Sequence, residues 1–226
     1  MIDPVPSGRE VLARVTTATG EWQLQRRDGH YEIICNGVFL MATYNRESDH
    51  QLARLALERV IAETIDVLVG GLGIGYTVQA ALADPRVGRV QVVEVEPLVV
   101  DWHRRFFASL CGRPLDDPRT DLVISDLSDV PLPPRSYGAI LLDTDNGPDW
   151  LVVPDNARIY TPEAIQRFHD ATVPGGVIAY WSAHRAPGFA AVLAEVAGRV
   201  EEVEVPDEIA PGRAGSAWIY MSAPGG

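Results

Sequence analysis

A mostly parallel α/β sheet preceded by a small antiparallel β unit is the fold this sequence predicts. Two observations carry that expectation. Before residue 45, period-two apolar runs are broken by Asp28-Gly29 and Asn36-Gly37, and from about residue 65 short apolar runs alternate with helix-length segments. Asp-Gly and Asn-Gly between alternating runs are the strongest short-range hairpin signal, since the central residues of such turns need positive φ. Apolar strands separated by helices make βαβ units with parallel pairing. The 226 residues, 46% of them hydrophobic, suffice to bury a large core, and the length suits one α/β domain. The division expected is a hairpin unit over 1–45 and an α/β domain over 46–226.

Each element has its own signal. Trp22 and Leu24, then Tyr31, Ile33 and Cys35, then Val38 to Met41 give the hairpin strands. Ser48-x-x-Gln51 reads as a capping box opening a helix over 47–63, with Leu52, Leu55, Ala56 and Val60 on one face. Strands follow at 65–69, 90–95, 122–125, 139–142 and 177–181, and helices at 76–82, 98–110, 162–172 and 187–197. The segments 200–205 and 217–221 read as a closing antiparallel edge hairpin. Trp102 and Phe106, four residues apart, read as helix-packing residues. Cys35 and Cys111 form no Cys-x-x-Cys and read as reduced thiols rather than metal ligands.

Charge narrows the partners. The chain carries 19 basic and 31 acidic residues, a net −12, and its arginines are scattered with no aromatic-basic stripe. Such a surface repels a polyanion, so nucleic acid is not expected and a neutral or cationic small molecule is. No run of about 18 apolar residues and no leader-like N-terminus is seen, so a cytoplasmic protein without a membrane span is expected. The exposed edge of the N-terminal β unit could support a homodimer.

The glycine loop is the central motif. Gly71-x-Gly73-x-Gly75 lies between a strand and a helix, where glycines let a ligand approach and the helix start offers free N–H groups. Tyr76 follows Gly75, so the dinucleotide spacing is not met. Nineteen residues past Gly75, at a strand end, stands Glu94, placed to accept hydrogen bonds from ribose hydroxyls. Glu96, beside it, reads as solvated.

These residues resemble the spermidine synthase-like family of S-adenosylmethionine-dependent transferases, over nearly the whole chain. Val67 to Thr77 is similar to that family's strand and Gly-Gly-Gly-Asp-Gly-Gly-Thr loop, and Val93-Glu94-Val95-Glu96-Pro97 to its Val-Glu-Ile-Asp-Pro segment. Ser125-Asp126-Leu127 falls where the family has Asp-Gly, and Tyr137 to Asp145 resembles its fourth strand with the reacting aspartate. The resemblance implies a Rossmann-like methyltransferase fold with a mostly parallel seven-stranded sheet. It also implies S-adenosylmethionine or its decarboxylated form as cofactor, held by Gly71, Gly73, Gly75, Glu94 (ribose) and Asp126 (adenine amino group). Three departures stand out: Ile74 replaces the loop aspartate that holds the donor amine, Asp49-His50-Gln51 replaces a tyrosine-containing stretch, and the gating loop is shortened to Asp145-Asn146-Gly147-Pro148.

Parallel α/β sheets bind ligands beyond the C-terminal ends of their strands, so Asp143 and Asp145 are the expected catalytic residues, Asp143 nearest the chemistry. Asn146, His50 and Tyr160 are expected to line the acceptor site, while His103, His169 and His184 read as surface residues. The expected function is transfer of a group, most simply methyl, to a small acceptor for which a cationic one suits the acidic chain. Aminopropyl transfer from the decarboxylated donor is the alternative, opposed by Ile74, and a nucleoside-binding domain without catalysis is the third reading.

Overall fold

The computed structural model describes residues 8–222 and contains two sheets. The first is an antiparallel meander of β1 (Arg9–Thr17), β2 (Gly20–Arg27), β3 (His30–Cys35) and β4 (Val38–Ala42). Its two later turns carry the positive φ that the Asp-Gly and Asn-Gly pairs foretell, at Asp28, Gly29, Asn36 and Gly37. One face, bearing Trp22, Leu24, Ile33 and Cys35, packs against Ile74, Tyr76, Trp102 and Phe107. The meander is thereby anchored beside the glycine loop. Phe106 packs at the edge of the same cluster, and both cysteines are buried and free.

The second sheet has seven strands: β5 (Ile65–Gly70), β6 (Val87–Glu94), β7 (Thr120–Ile124), β8 (Tyr137–Leu142), β9 (Thr172–Ser182), β10 (Val200–Ala210) and β11 (Arg213–Ser222). Their order is β10-β11-β9-β8-β5-β6-β7, with β11 antiparallel to its neighbours and the central pairs parallel. Among the described residues five α-helices flank it: α1 (Glu47–Arg59), α2 (Tyr76–Ala83), α3 (Pro97–Trp102), α4 (Pro162–Ala171) and α5 (Pro187–Ala197). Strand order departs in opposite directions from β5 and β8, which opens a crevice beyond their C-terminal ends. β8 is buried along its whole length, as its apolar run requires.

Several expectations are corrected. The first helix stops at Arg59 rather than 63, because Arg86 reaches across and donates to the Leu57 and Val60 carbonyls at 2.8 and 2.9 Å, capping the end from outside. Ser48 is no cap. The helix opens at Glu47, and the Ser48 hydroxyl donates to Asp207 at 2.5 Å while accepting the Trp181 indole N–H at 3.0 Å. The helix expected over 98–110 is α-helical only to Trp102, then passes through a π turn (His103–Phe107) and a 3₁₀ turn (Ala108–Leu110). That turn buries His103, expected at the surface, with Nδ1 3.0 Å from the Ile74 carbonyl oxygen. Glu96 is also buried rather than solvated: it caps α3 through Leu98 N–H and accepts the Thr17 and Thr19 hydroxyls at 2.7 and 2.6 Å, tying the meander to the second sheet.

The closing hairpin is longer than its sequence signal. Beyond Val205 the pattern turns polar, yet β10 and β11 stay paired as far as Ala210 and Arg213. The overhang carries Asp207 and Ile209 to the mouth of the crevice. Among the described residues no helix is long and apolar enough to cross a membrane.

Candidate functional site

The crevice has two halves. The smaller, a cavity of about 70 Å³, runs along Gly71, Gly73, Glu94, Ser125, Asp126 and Ile159. Gly71 holds a φ of 91°, and a Cβ there would come within 2.0 Å of the Asp143 carbonyl oxygen, so only glycine lets the loop lie against the end of β8. A Cβ on Gly75 would meet the His103 ring at 2.7 Å, so that glycine serves packing. Glu94 ends β6 buried, accepting from Leu72 N–H at 2.9 Å and Glu96 N–H at 2.8 Å. Burial raises its carboxyl pKa against the lowering effect of those backbone bonds. Asp126 accepts from Ser128 N–H at 2.7 Å and from Arg158 at 3.2 Å. Two carboxylates and a glycine-rich loop thus flank one slot.

Beyond Asp143 the crevice widens into a cavity of about 460 Å³. Asp143 lines both halves, together with Met41, Gly73 and Thr144. Its carboxylate accepts one hydrogen bond from Thr77 Oγ1, in the first turn of α2, at 2.7 Å. Burial, with a contribution from Asp207, lifts its pKa from 3.8 to about 6. Asp49 of α1 faces the same cavity, and burial next to Asp143 and Asp207 pushes its pKa well above the ordinary carboxylate value. No ion pair among the described residues engages Asp49, Asp143 or Asp207.

Asp145 is arranged differently. It is buried, and its carboxylate accepts from the N–H groups of Asn146, Val152 and Val153 at 2.7, 2.8 and 3.0 Å and from Asn156 Nδ2 at 2.8 Å. Those four donors make it the organiser of the loop after β8. Asn146 lines the larger cavity while its Nδ2 donates to the Phe39 carbonyl at 3.1 Å. His50 and Tyr160 lie outside the lining of both cavities. His50 hydrogen-bonds Gln79 across 3.2 Å and meets Tyr76 edge-on, and Tyr160 packs against Tyr180 and Phe189. Sequence reasoning passed over Asp207, Trp150, Trp181 and Trp218, which line the larger cavity, and took Asp49 only as part of a departure from the family pattern. Asp49 had a signal in its neighbour His50, whereas Asp207 had none, being brought in by the unforeseen overhang.

Comparison with known proteins bears on this geometry. No protein-family model matches the chain. Over 74% of its length it is 30% identical to a polyamine aminopropyltransferase of Mycobacterium tuberculosis, of which it spans 32%. Over 35% of its length it is 34% identical to putrescine N-methyltransferase 2 of Nicotiana tabacum, spanning 23% of that protein. The chain thus covers a third or less of the length of these curated relatives. Among solved structures, spermidine synthase from Thermotoga maritima superposes on 95% of the chain and 73% of its own, with a TM-score of 0.78 at 19% identity. A spermidine synthase in complex with the transition-state analogue AdoDATO matches with the same TM-score at 18% identity.

Proposed function

Since the chain is homologous to polyamine aminopropyltransferases and is built on the spermidine synthase fold, we propose that it transfers an alkyl group from a sulfonium nucleoside of the S-adenosylmethionine type to an amine. One observation carries this reading: Asp143 stands where the slot between the glycine loop, Glu94 and Asp126 meets a larger, acidic cavity, lining both. The slot holds the nucleoside, with Glu94 on the ribose and Asp126 on the adenine amino group. The nucleoside supplies an electrophilic carbon bonded to a positively charged sulfur.

In the larger cavity Asp143 accepts a proton from the incoming ammonium, leaving a nitrogen lone pair that attacks that carbon. The carbon–sulfur bond breaks onto sulfur, the product amine leaves as its ammonium, and the proton held by Asp143 returns to solvent. Holding the two reactants in line supplies most of the rate, and the positioned carboxylate the remainder. A pKa near 6 suits the role, because the carboxylate is ionised at neutral pH yet less weakly basic than an ordinary one. Asp145 holds the loop that carries Asp143.

Aminopropyl is the group favoured, because likeness to an aminopropyltransferase covers 74% of the chain against 35% for the methyltransferase. The missing loop carboxylate has a substitute: Asp49 lines the cavity with Gly73 and Ile74, so the donor amine that loses a partner at Ile74 gains one from α1. Methyl transfer is the second reading, favoured by Ile74 itself. The two separate by their products. Incubation with each donor and a panel of amines should release methylthioadenosine from decarboxylated S-adenosylmethionine in an amine-dependent way. Release of S-adenosylhomocysteine from S-adenosylmethionine would put methyl transfer first, and amine-dependent release of neither thioether would overturn the proposal.

A further inference from the structure

The larger cavity is sorted by charge. Asp49, Asp143 and Asp207 share its wall, with no basic side chain among the described residues paired to them. Carboxylates gathered on one cavity wall without a counter-ion favour a cation there. The rest of the wall is different. Trp150 has the His184 ring 5.3 Å away, and Trp218 has the Arg185 guanidinium 5.3 Å over its face. Arg185 and His184 both line the cavity, and among the described residues the one further carboxylate in the lining, Asp145, is consumed by its own loop. Along the hairpin, Asp207 pairs with Gly215 and Trp218 lies three residues further, about 10 Å along an extended strand.

A linear diamine fits this arrangement poorly. With one ammonium among the carboxylates, the second would come to rest beside tryptophan, where no lining carboxylate is free and the neighbouring Glu202 is already paired with Arg185 at 3.1 Å. The volume argues in the same direction: about 460 Å³ falls in the roughly 300–1,000 Å³ range of cavities for drug-sized ligands, far more than a four-carbon chain fills. Resting on the transferase reading above, we infer that the acceptor is a monocationic amine with a planar apolar body, its ammonium at Asp143 and Asp207 and its body against Trp150 and Trp218. The closing hairpin, through Asp207, Ile209 and Trp218, then sets acceptor specificity.

Calorimetry on the full chain tests this, first with methylthioadenosine alone and then, on the nucleoside-saturated protein, with tryptamine, putrescine and spermidine. Tryptamine should bind about tenfold or more tighter than putrescine, the gain expected from burying a ring on tryptophan. Trp218→Ala should weaken tryptamine about tenfold and leave putrescine and the nucleoside unchanged, with Trp218→Phe restoring most of the loss. Asp207→Asn should weaken both amines. Nucleoside binding accompanied by putrescine or spermidine binding as tightly as tryptamine would overturn the inference and spare the transferase reading. So would equal losses for both amines in Trp218→Ala. Failure of the nucleoside to bind would defeat both.

Discussion

The two halves of the crevice are built by different means. The nucleoside half draws on strand ends and the loops that directly follow them, and its carboxylates are held by nearby backbone: Glu94 by Leu72 and Glu96, Asp126 by Ser128. The acceptor half is assembled from α1, the end of β8, the end of β9 and the β10–β11 overhang, and three of its carboxylates lack a cationic partner. The first half is completed by hydrogen bonds from backbone N–H groups and from Arg158. The second is brought together by tertiary contact, with Ser48 bridging Trp181 and Asp207, and its carboxylates Asp49, Asp143 and Asp207 are left without an ion-pair partner among the described residues. The same contrast separates two aspartates two residues apart, Asp145 with four donors and Asp143 with one.

Substitution at those two aspartates should break the contrast most visibly. Asp143→Asn keeps the shape and loses the base, so turnover should fall by about 10²–10⁴-fold with nucleoside affinity unchanged. Steady-state kinetics beside calorimetry check this, and an equally active variant would move the chemistry elsewhere. Asp145→Ala should instead act on folding, leaving three backbone N–H groups and Asn156 without their acceptor, at a cost of about 2–4 kcal/mol in denaturant unfolding. An Asp145→Ala protein of parental stability would remove its organising role.

A smaller effect concerns pH and has the opposite sign from most carboxylates. Because the folded-state pKa of Asp143 is raised from 3.8 to about 6, the folded protein binds the proton more readily than the unfolded chain. The resulting stability is full below about pH 4 and is lost as pH rises through about 6. Asp143→Asn, which never ionises, should therefore be more stable than the parent at pH 8 by about 1–3 kcal/mol and gain little at pH 4. Thermal or urea unfolding of the unliganded proteins at both pH values measures it. A variant less stable than the parent at pH 8 would show that Asp143 already has a favourable partner.

The same division explains what could be read in the sequence. Hairpin turns, the glycine loop, the buried run of β8 and the position of Glu94 are signals contained within a few consecutive residues, and the structure places them as expected. The burial of Glu96 and His103 is not legible locally because it depends on distant partners, Thr17 and Thr19 for one and the Ile74 carbonyl for the other. Ser48 looked like a cap because capping boxes are recognised by spacing, whereas its hydroxyl is claimed by Asp207, 159 residues away. Asp207 was invisible for a related reason: Val-Pro-Asp-Glu-Ile lacks clean alternation, and only pairing with β11 extends the strand far enough to reach the site.

Binding of methylthioadenosine to the parent protein, Glu94→Ala and Asp207→Asn, measured by calorimetry without any acceptor, tests the two-part site most directly. Glu94→Ala should weaken the nucleoside by about 10- to 150-fold, the loss expected for hydrogen bonds to a charged acceptor, while Asp207→Asn should bind it as the parent does. A parent protein that does not bind the nucleoside, or a folded Glu94→Ala variant that binds it unchanged, would contradict the account.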